Sequence, residues 1–208
     1  AKAKKSLVEF GIFAMEFGKV TADFNATRQK IVMNPRWNKY YGPGGTDWDG
    51  PLRDGRNRGG EPYYCPKGWK RFSFVVTNEI YQKYKVYDWP ICYHGTKFDF
   101  SMMITLSGLK ASGGCHGDGV YLSPSIKYVS HSRYCAPFEF LPVHLEQAKD
   151  IGWAKHYIEE FENYQNKWIQ VAFMCRVKPG KYRKLRDTMQ LEFLDKHLDE
   201  DGKFDNID

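Results

Sequence analysis

The chain has 208 residues, 42% apolar and 16% aromatic, a length and composition that predict a single folded domain over residues 1–208. Its 31 Lys and Arg residues against 25 Asp and Glu residues give a net charge of +6, which permits anionic partners without requiring them. The 5 cysteines are odd in number and scattered, and no apolar run approaches the ~20 residues of a membrane-spanning helix, so we expect a soluble protein with reduced thiols.

The first third of the chain shows few regular patterns. Residues 6–20 mix apolar and polar side chains without a clear helical or strand period. Residues 40–66 contain repeated Gly and Pro turn signals, and we expect a long loop with little regular structure there. Its arginines, Arg53, Arg56 and Arg58, suit contact with an acidic target or a pyrophosphate. A solvated surface loop is an equally supported interpretation.

From residue 69 onward, strand and helix patterns are mixed. The apolar periodicities predict strands at residues 69–76, at 86–93 with His94 at its end, and at 168–177. They predict helices at residues 100–109, at 145–165, and after the turn at 123–125, the last carrying Ile126, Val129 and Tyr134. Residues 199–208 are acidic and are expected to form an exposed end. Because no βαβ regularity is present, the order of elements indicates the α+β class.

Two segments combine residues that suit recognition of a planar amide and a sugar. In the first, Gly95 follows His94 and leaves room for a flat ring to approach the backbone, while Thr96 supplies a hydroxyl. In the second, a Gly-x-Gly pair at 117–119 clears space before Tyr121, whose ring can stack on a pyridinium. Taken alone, this histidine is more typical of a buried structural histidine than of a functional one, and the structural alternative for the tyrosine is a core strand residue.

Together these segments resemble ADP-ribosyltransferases of the diphtheria-toxin and poly(ADP-ribose) polymerase type, whose hallmark is a His-Tyr-Glu triad on a split antiparallel sheet. Tyr-His-Gly-Thr at 93–96 is similar to the first motif, and Gly-Val-Tyr at 119–121, with Tyr134, is similar to the second. The mono-ADP-ribosyltransferase branch of bacterial effectors and of fungal and animal proteins is the nearer likeness. It rests on Trp-Pro at 89–90, Ser-Pro-Ser at 123–125 and Arg-Val-Lys-Pro-Gly at 176–180, and spans residues 59–180.

The resemblance implies a split antiparallel sheet with peripheral helices, and NAD as the substrate in a crevice between two small sheets. His94 would then hydrogen-bond a ribose hydroxyl, and Gly95 would hold the carboxamide through its backbone. The hydroxyl of Ser123 or Thr96 would assist. These roles are ones of positioning, which lowers a barrier by holding the reacting atoms close together.

The resemblance further implies that Tyr121 and Tyr134 stack on the two faces of the nicotinamide ring. The catalytic set would be His94, Tyr121 and a glutamate, because a carboxylate near the ribose stabilises the positive charge that develops as nicotinamide leaves. Glu192 lies in an apolar-polar alternation compatible with a strand and is our candidate. An alternative is that Glu192 lies on a solvated helix and that the acid belongs to a strand beyond residue 208.

A metal site is a weak alternative. Cys92 and His94 are two residues apart and Cys115 precedes His116, but no C-x-x-C or H-x-x-x-H spacing is present. Adjacent Cys and His side chains rarely both reach one tetrahedral zinc ion, so we expect no metal.

The sequence therefore predicts a mono-ADP-ribosyltransferase that cleaves NAD and modifies a protein side chain. The branch it resembles includes effectors that modify a threonine of ubiquitin, which makes ubiquitin one acceptor to consider. A nucleic-acid acceptor stays open, and no membrane partner is expected. The resemblance is compatible with a reducing, cytosol-like compartment or with a secreted effector that acts in a host cytosol. The alternative function is a catalytically inactive binding module for NAD or ADP-ribose, a protein or RNA.

Overall fold

A computed structural model describes residues 10–16, 33–42, 47–86, 88–114, 116–149 and 157–185. The strands are β1 (Phe10–Glu16), β2 (Lys39–Tyr41), β3 (Arg53–Arg58), β4 (Glu61–Tyr64), β5 (Trp69–Phe72), β6 (Ile91–Thr96), β7 (Phe138–Phe140), β8 (Lys167–Ile169) and β9 (Val171–Arg176). The α-helices are α1 (Asn78–Val86), α2 (Phe98–Ser107), α3 (Ile126–Val129), α4 (Pro142–Lys149) and α5 (Ile158–Glu162), and Pro35–Trp37 is a short 3-10 helix. This mixture confirms the α+β class.

A five-stranded sheet in the order β2-β5-β1-β9-β6 forms the centre of the described structure. β1 runs parallel to both of its neighbours, whereas β2 pairs antiparallel with β5 and β6 pairs antiparallel with β9. Two separate ribbons, β3 with β4 and β7 with β8, are antiparallel. The main sheet is thus mixed, not antiparallel throughout as expected. The reason is that β1 pairs with strands far along the chain, where no short turn fixes the relative direction of the partners.

Residues 53–64 form a β-hairpin, so the expectation of an irregular loop over 40–66 is wrong for this part. Gly59 and Gly60 connect β3 to β4 with backbone φ angles of 59° and 77°. Two consecutive left-handed residues are what a two-residue type I′ turn requires. The glycines that suggested irregular structure instead close a hairpin.

The hairpin also occupies two of the three arginines that were candidates for binding an anion. The guanidinium of Arg53 lies 5.5 Å from the ring centre of Tyr64, and that of Arg58 lies 4.6 Å from the ring centre of Tyr63. Arg58 also pairs with Asp54 at 2.7 Å. These contacts are intramolecular, so both guanidinium groups already have partners within the hairpin.

The stretch around residue 86 differs from its prediction. Residues 78–86 form α1, which begins after Thr77, whose hydroxyl accepts the N–H of Ile80 at 3.3 Å. The strand begins only at Ile91 and continues to Thr96, so His94 lies inside it and not at its end. The polar helix start was the missed signal, because the apolar residues that follow it fit a strand equally well.

Several other predictions hold with changed boundaries. α2 confirms the helix predicted at 100–109, β5 confirms the first half of the strand at 69–76, and β1 lies within the unassigned stretch at 6–20. The helix predicted at 145–165 corresponds to α4 and α5, with 150–156 outside the described residues. Gln170 divides the strand predicted at 168–177 into β8 and β9. The acidic stretch at 199–208 also lies outside the described residues.

The core contains two apolar clusters. The first packs α3 and the end of the hairpin on one face of β6 and β9, and its members include Tyr63, Ile91, Tyr93, Ile126, Val129, Cys135, Ala172 and Met174. Tyr93 is completely buried there, and its hydroxyl donates a hydrogen bond to the carbonyl of Tyr64 at 2.7 Å. The second cluster packs α4 and α5 with β5 and the β7–β8 ribbon. The first cluster therefore fixes the position of β6.

Alanine substitutions in the hairpin turn should separate backbone strain from steric conflict. Gly60→Ala introduces a side chain with nothing within 4 Å, so its cost is the left-handed conformation alone, about 1–2 kcal/mol. Gly59→Ala carries the same strain and places Cβ 2.3 Å from Cδ of Pro90 and 2.4 Å from the carbonyl oxygen of Asp88, adding about 1–3 kcal/mol. Chemical denaturation should show the larger loss of stability for Gly59→Ala. Equal losses would contradict the close approach of the turn to residues 88–90.

Candidate functional site

The outer edge of β6 brings the two segments of interest together. The carbonyl of Pro90 accepts the N–H of Val177 at 2.9 Å, so even-numbered residues of β6 bond to β9 and odd-numbered ones point their backbone groups outward. Tyr93 and Ser123 confirm this alternation by exchanging two backbone hydrogen bonds of 2.7 and 3.0 Å. The segment that contains Tyr121 and Ser123 therefore meets β6 in a single antiparallel bridge, a placement that sequence spacing could not reveal.

Gly95 lies one step beyond this last bridge, with its N–H and C=O directed away from β9. Within the described part of the chain neither group has a hydrogen-bond partner. One donor and one acceptor side by side at a strand edge match the acceptor and donor of a planar carboxamide. Gly95 is thus suited to the backbone role expected for it.

Packing supplies a second reason for a glycine at this position. A Cβ on Gly95 would lie 2.7 Å from the carbonyl oxygen and 2.9 Å from Cγ1 of Val129, and 3.2 Å from Cβ of Cys135. α3 and the turn after it therefore cover this point of β6 directly. The sequence indicated only the approach of a ligand as a reason for Gly95, whereas Val129 and Cys135 occupy the space that a side chain there would need.

His94 is held by a hydrogen bond between its Nδ1 and the backbone oxygen of Tyr121, at 2.9 Å. A carbonyl oxygen only accepts, so the imidazole proton lies on Nδ1. Nε2 of the neutral ring is then an acceptor, with no partner among the residues that the structure describes. Burial lowers the pKa of His94, and the hydrogen bond to Tyr121 opposes that shift. At neutral pH the side chain is therefore neutral and can accept a hydrogen bond from a hydroxyl group.

Tyr121 is fixed by its own loop. Its hydroxyl donates to the carbonyl of Gly117 at 2.5 Å and accepts the N–H of His116 at 3.1 Å. Two backbone hydrogen bonds between Ser112 and Gly119, of 3.0 and 3.1 Å, close the same loop. The hydroxyl is thus used within the protein, and the aromatic ring is the part of the residue that suits contact with a ligand.

Tyr134 immediately precedes Cys135, whose Cβ lies close to Gly95. It is 40% exposed and belongs to the turn after α3, not to the helix in which it was expected, because α3 ends at Val129. Its hydroxyl is 2.9 Å from that of Tyr128, and the two ring centres are 5.1 Å apart. In the described residues no ring contact joins Tyr134 to Tyr121. The structure brings His94, Gly95 and Tyr121 together directly. Tyr134 is linked to Gly95 only through Cys135, its neighbour in sequence.

The two candidate hydroxyl residues differ in what they do. Thr96 is buried at the end of β6, opposite Val171, on the same face of the strand as His94. Ser123 contributes its backbone to the bridge with Tyr93, and its Oγ accepts the N–H of Ser125 at 3.2 Å. Its visible role is to align the Tyr121 segment with β6. Glu192, the candidate acid, lies outside the described residues.

Two residues near the site were missed. The side chain of Arg183 donates to the carbonyl of His116 at 3.0 Å and fastens the Tyr121 loop to the chain after β9. The amide of Gln170 donates to the carbonyls of Ser130 and Cys135, at the two ends of the turn that carries Tyr134. Both contacts join residues at least 35 positions apart, and no local sequence signal marks them.

Comparison of the chain with protein-family models, with curated proteins and with solved structures finds no match. Among the residues that the structure describes, no group of three or more His, Cys, Asp and Glu side chains is arranged to hold a metal ion. None of the helices described is both long and apolar enough to cross a membrane.

The ionisation state of His94 can be measured directly by NMR. We expect a pKa below its usual value near 6.5 and, at neutral pH, a proton on Nδ1 with Nε2 bare. The unfolded chain then takes up a proton first as the pH falls, so the stability contributed by a neutral His94 is complete above pH 6.5 and declines from 6.5 down to the folded-state pKa. The stability gap between the wild type and His94→Gln should accordingly narrow on acidification. A proton on Nε2 would contradict the bond to Tyr121.

Gly113 and Gly114 offer a matched test of how Tyr121 is held. An added Cβ on Gly114 would lie 2.6 Å from both Cζ and Oη of Tyr121, whereas one on Gly113 would lie 3.5 Å from the nearest atom, Oδ1 of Asp118. We expect Gly114→Ala to displace the tyrosine ring and cost about 1–3 kcal/mol of stability. Gly113→Ala should stay within about 0.5 kcal/mol of the wild type. Tyr121 NMR shifts and hydrogen exchange at the His116 amide report the displacement, and identical spectra for both variants would refute it.

Proposed function

We propose that this protein is a mono-ADP-ribosyltransferase, which breaks the bond between nicotinamide and ribose in NAD and transfers ADP-ribose to a protein side chain. The observation that carries the proposal is the pairing of residues 121–123 with the outer edge of β6, through the Tyr93–Ser123 bridge. These are the two segments on which the family resemblance rests, and the pairing links them through the hydrogen bond from His94 to Tyr121.

The nicotinamide group is proposed to lie against the outer edge of β6. The N–H of Gly95 would donate to the carboxamide oxygen, and its C=O would accept from the carboxamide nitrogen. Tyr121, anchored by its hydroxyl, would present its ring to one face of the pyridinium. Tyr134 would cover the other face from the turn that contacts Gly95 through Cys135.

The ribose is proposed to lie next to His94. A neutral imidazole with its proton on Nδ1 leaves Nε2 to accept a hydrogen bond from a ribose hydroxyl. Thr96 lies on the same face of β6 and would assist there, whereas Ser123 would act indirectly by aligning the Tyr121 segment. Most of the expected binding residues would thus contact NAD directly, whereas Ser123 would position Tyr121.

The chemistry requires an acid residue that stabilises positive charge. The bond between ribose C1′ and the pyridinium nitrogen breaks, both electrons leave with nicotinamide, and nicotinamide becomes neutral. The ribose gains oxocarbenium character and bonds to the nucleophilic atom of the acceptor, whose proton passes to a base. A carboxylate near the ribose stabilises this charge. We assign that role to Glu192, with His94 and Tyr121 completing the catalytic set.

The acceptor is proposed to be a protein, with a threonine of ubiquitin as the first to examine because of the branch that the chain resembles. RNA is the second acceptor to examine. Within the described residues Cys65, Cys92, Cys135 and Cys175 are unbridged. Free thiols agree with action in a reducing cytosol, either that of the producing cell or that of a host.

Incubation with isotopically labelled NAD tests the proposal. The wild type should release nicotinamide and label a protein in a cell lysate, which mass spectrometry would identify. His94→Ala and Tyr121→Ala should each lower transfer by about 100-fold or more, because both remove positioning groups at the reacting centre. Tyr81→Ala, a half-exposed tyrosine on α1, is the matched control and should keep full activity. Full activity in either site variant would overturn the proposal.

Glu192→Gln separates a transferase that uses this acid from the two alternatives. Loss of nicotinamide release with retained NAD binding would support Glu192 as the catalytic acid. Unchanged release would place the acid elsewhere in the protein. A wild type that binds NAD or ADP-ribose by calorimetry and releases no nicotinamide would instead support the inactive binding module.

A further inference from the structure

Gln170 is the single residue between β8 and β9, where the chain passes from the small ribbon to the main sheet. β8 pairs with β7, whereas β9 pairs with β1 and β6. The side chain of Gln170 is only 3% exposed. A buried amide at a strand break must satisfy its hydrogen-bonding groups outside the sheet ladder.

Its amide nitrogen does so with both ends of one turn. Nε2 donates to the carbonyl of Ser130 at 2.7 Å and to that of Cys135 at 2.5 Å, which uses both of its hydrogens. Inside the turn, the N–H groups of Tyr134 and Cys135 both donate to the carbonyl of His131 at 2.9 Å. The side chain of Gln170 therefore joins the two ends of the turn at residues 130–135.

The same turn is fastened to the main sheet beside the candidate site. The thiol of Cys135 donates to the carbonyl of Val171, the first residue of β9, at 3.1 Å. Cβ of Cys135 lies 3.2 Å from where a Cβ of Gly95 would be, so the end of the turn packs directly on the strand edge at Gly95. Tyr134 is the residue immediately before this contact. Whatever holds the turn closed thus sets the position of Tyr134 relative to Gly95.

We infer that Gln170 is a positioning residue for the nicotinamide site, acting through the turn at 130–135 to hold Tyr134 beside Gly95. The inference rests on the proposed function. The chemical basis of this inference is that the side-chain amide of Gln170 carries two N–H donors, one for the carbonyl of Ser130 and one for that of Cys135. A methionine of similar size offers no donor, and a glutamate is an acceptor when ionised.

The test compares Gln170→Met with Gln147→Met, in which an exposed glutamine on α4 is changed in the same way. Hydrogen exchange, measured without NAD, should quicken by about tenfold or more at the amides of Tyr134 and Cys135 in Gln170→Met, while β9 stays protected. In NAD turnover, KM should rise by about tenfold with kcat nearly unchanged, as expected when a binding contact is weakened. Gln147→Met should match the wild type in both measurements.

A double-mutant cycle with Tyr134→Ala distinguishes positioning from a general structural role. If Gln170 acts through Tyr134, adding Tyr134→Ala to Gln170→Met should change KM by less than about twofold, although Tyr134→Ala alone raises it. Fully additive effects would overturn the inference. Unchanged exchange at residues 134 and 135 would overturn it independently of any activity.

Gln170→Glu provides a second variant in case the methionine protein does not fold. Protonation of the buried glutamate at lower pH restores one donor, so the KM defect of this variant should diminish on acidification relative to wild type. A KM defect that does not change with pH would count against the proposed role of Gln170 in holding the turn at 130–135. If the wild type neither binds nor cleaves NAD, the proposed function fails, and the exchange data still decide whether Gln170 holds the turn.

Discussion

The arrangement of the candidate site depends on the pairing of residues 121–123 with the outer edge of β6. Two backbone hydrogen bonds between Tyr93 and Ser123 set the register of this pairing. The hydrogen bond from the His94 side chain to the carbonyl of Tyr121 adds a third contact between the two segments. Because the bridge ends at Tyr93, the next outward-facing residue, Gly95, keeps its donor and acceptor at the strand edge. A polar site is thus created where a sheet ladder stops.

The core supports this edge from one side. Tyr93 is completely buried in the first apolar cluster, and Ile126 and Val129 of α3 pack on the same face. Since side chains alternate along a strand, burying Tyr93 directs His94 to the opposite face of β6. Gly95 lies on the same face as Tyr93, where α3 packs on it, and its backbone groups face the open edge of the strand. The hydrophobic packing and the orientation of the polar groups are therefore two consequences of a single strand register.

The two loops beside the edge are held by long-range polar contacts. Arg183 fastens the loop that contains His116 and anchors Tyr121, and Gln170 closes the turn that contains Tyr134. Such contacts are typical of sites in which rigid elements carry the recognition groups and surrounding residues restrict their motion. They also explain why aromatic residues on loops keep defined positions here.

Local patterns in the sequence determined the α+β class, the helix at α2, the helix after the turn at 123–125 and the general location of β6, because each depends on residues close together in the chain. They also indicated His94, Gly95 and Tyr121 as members of one site. Tertiary structure decided the parallel neighbours of β1, the hairpin closed by Gly59 and Gly60, and the roles of Gln170 and Arg183. These features depend on hydrogen bonds and close packing between residues distant in sequence, where the free energy of a contact exists only after the chain has folded.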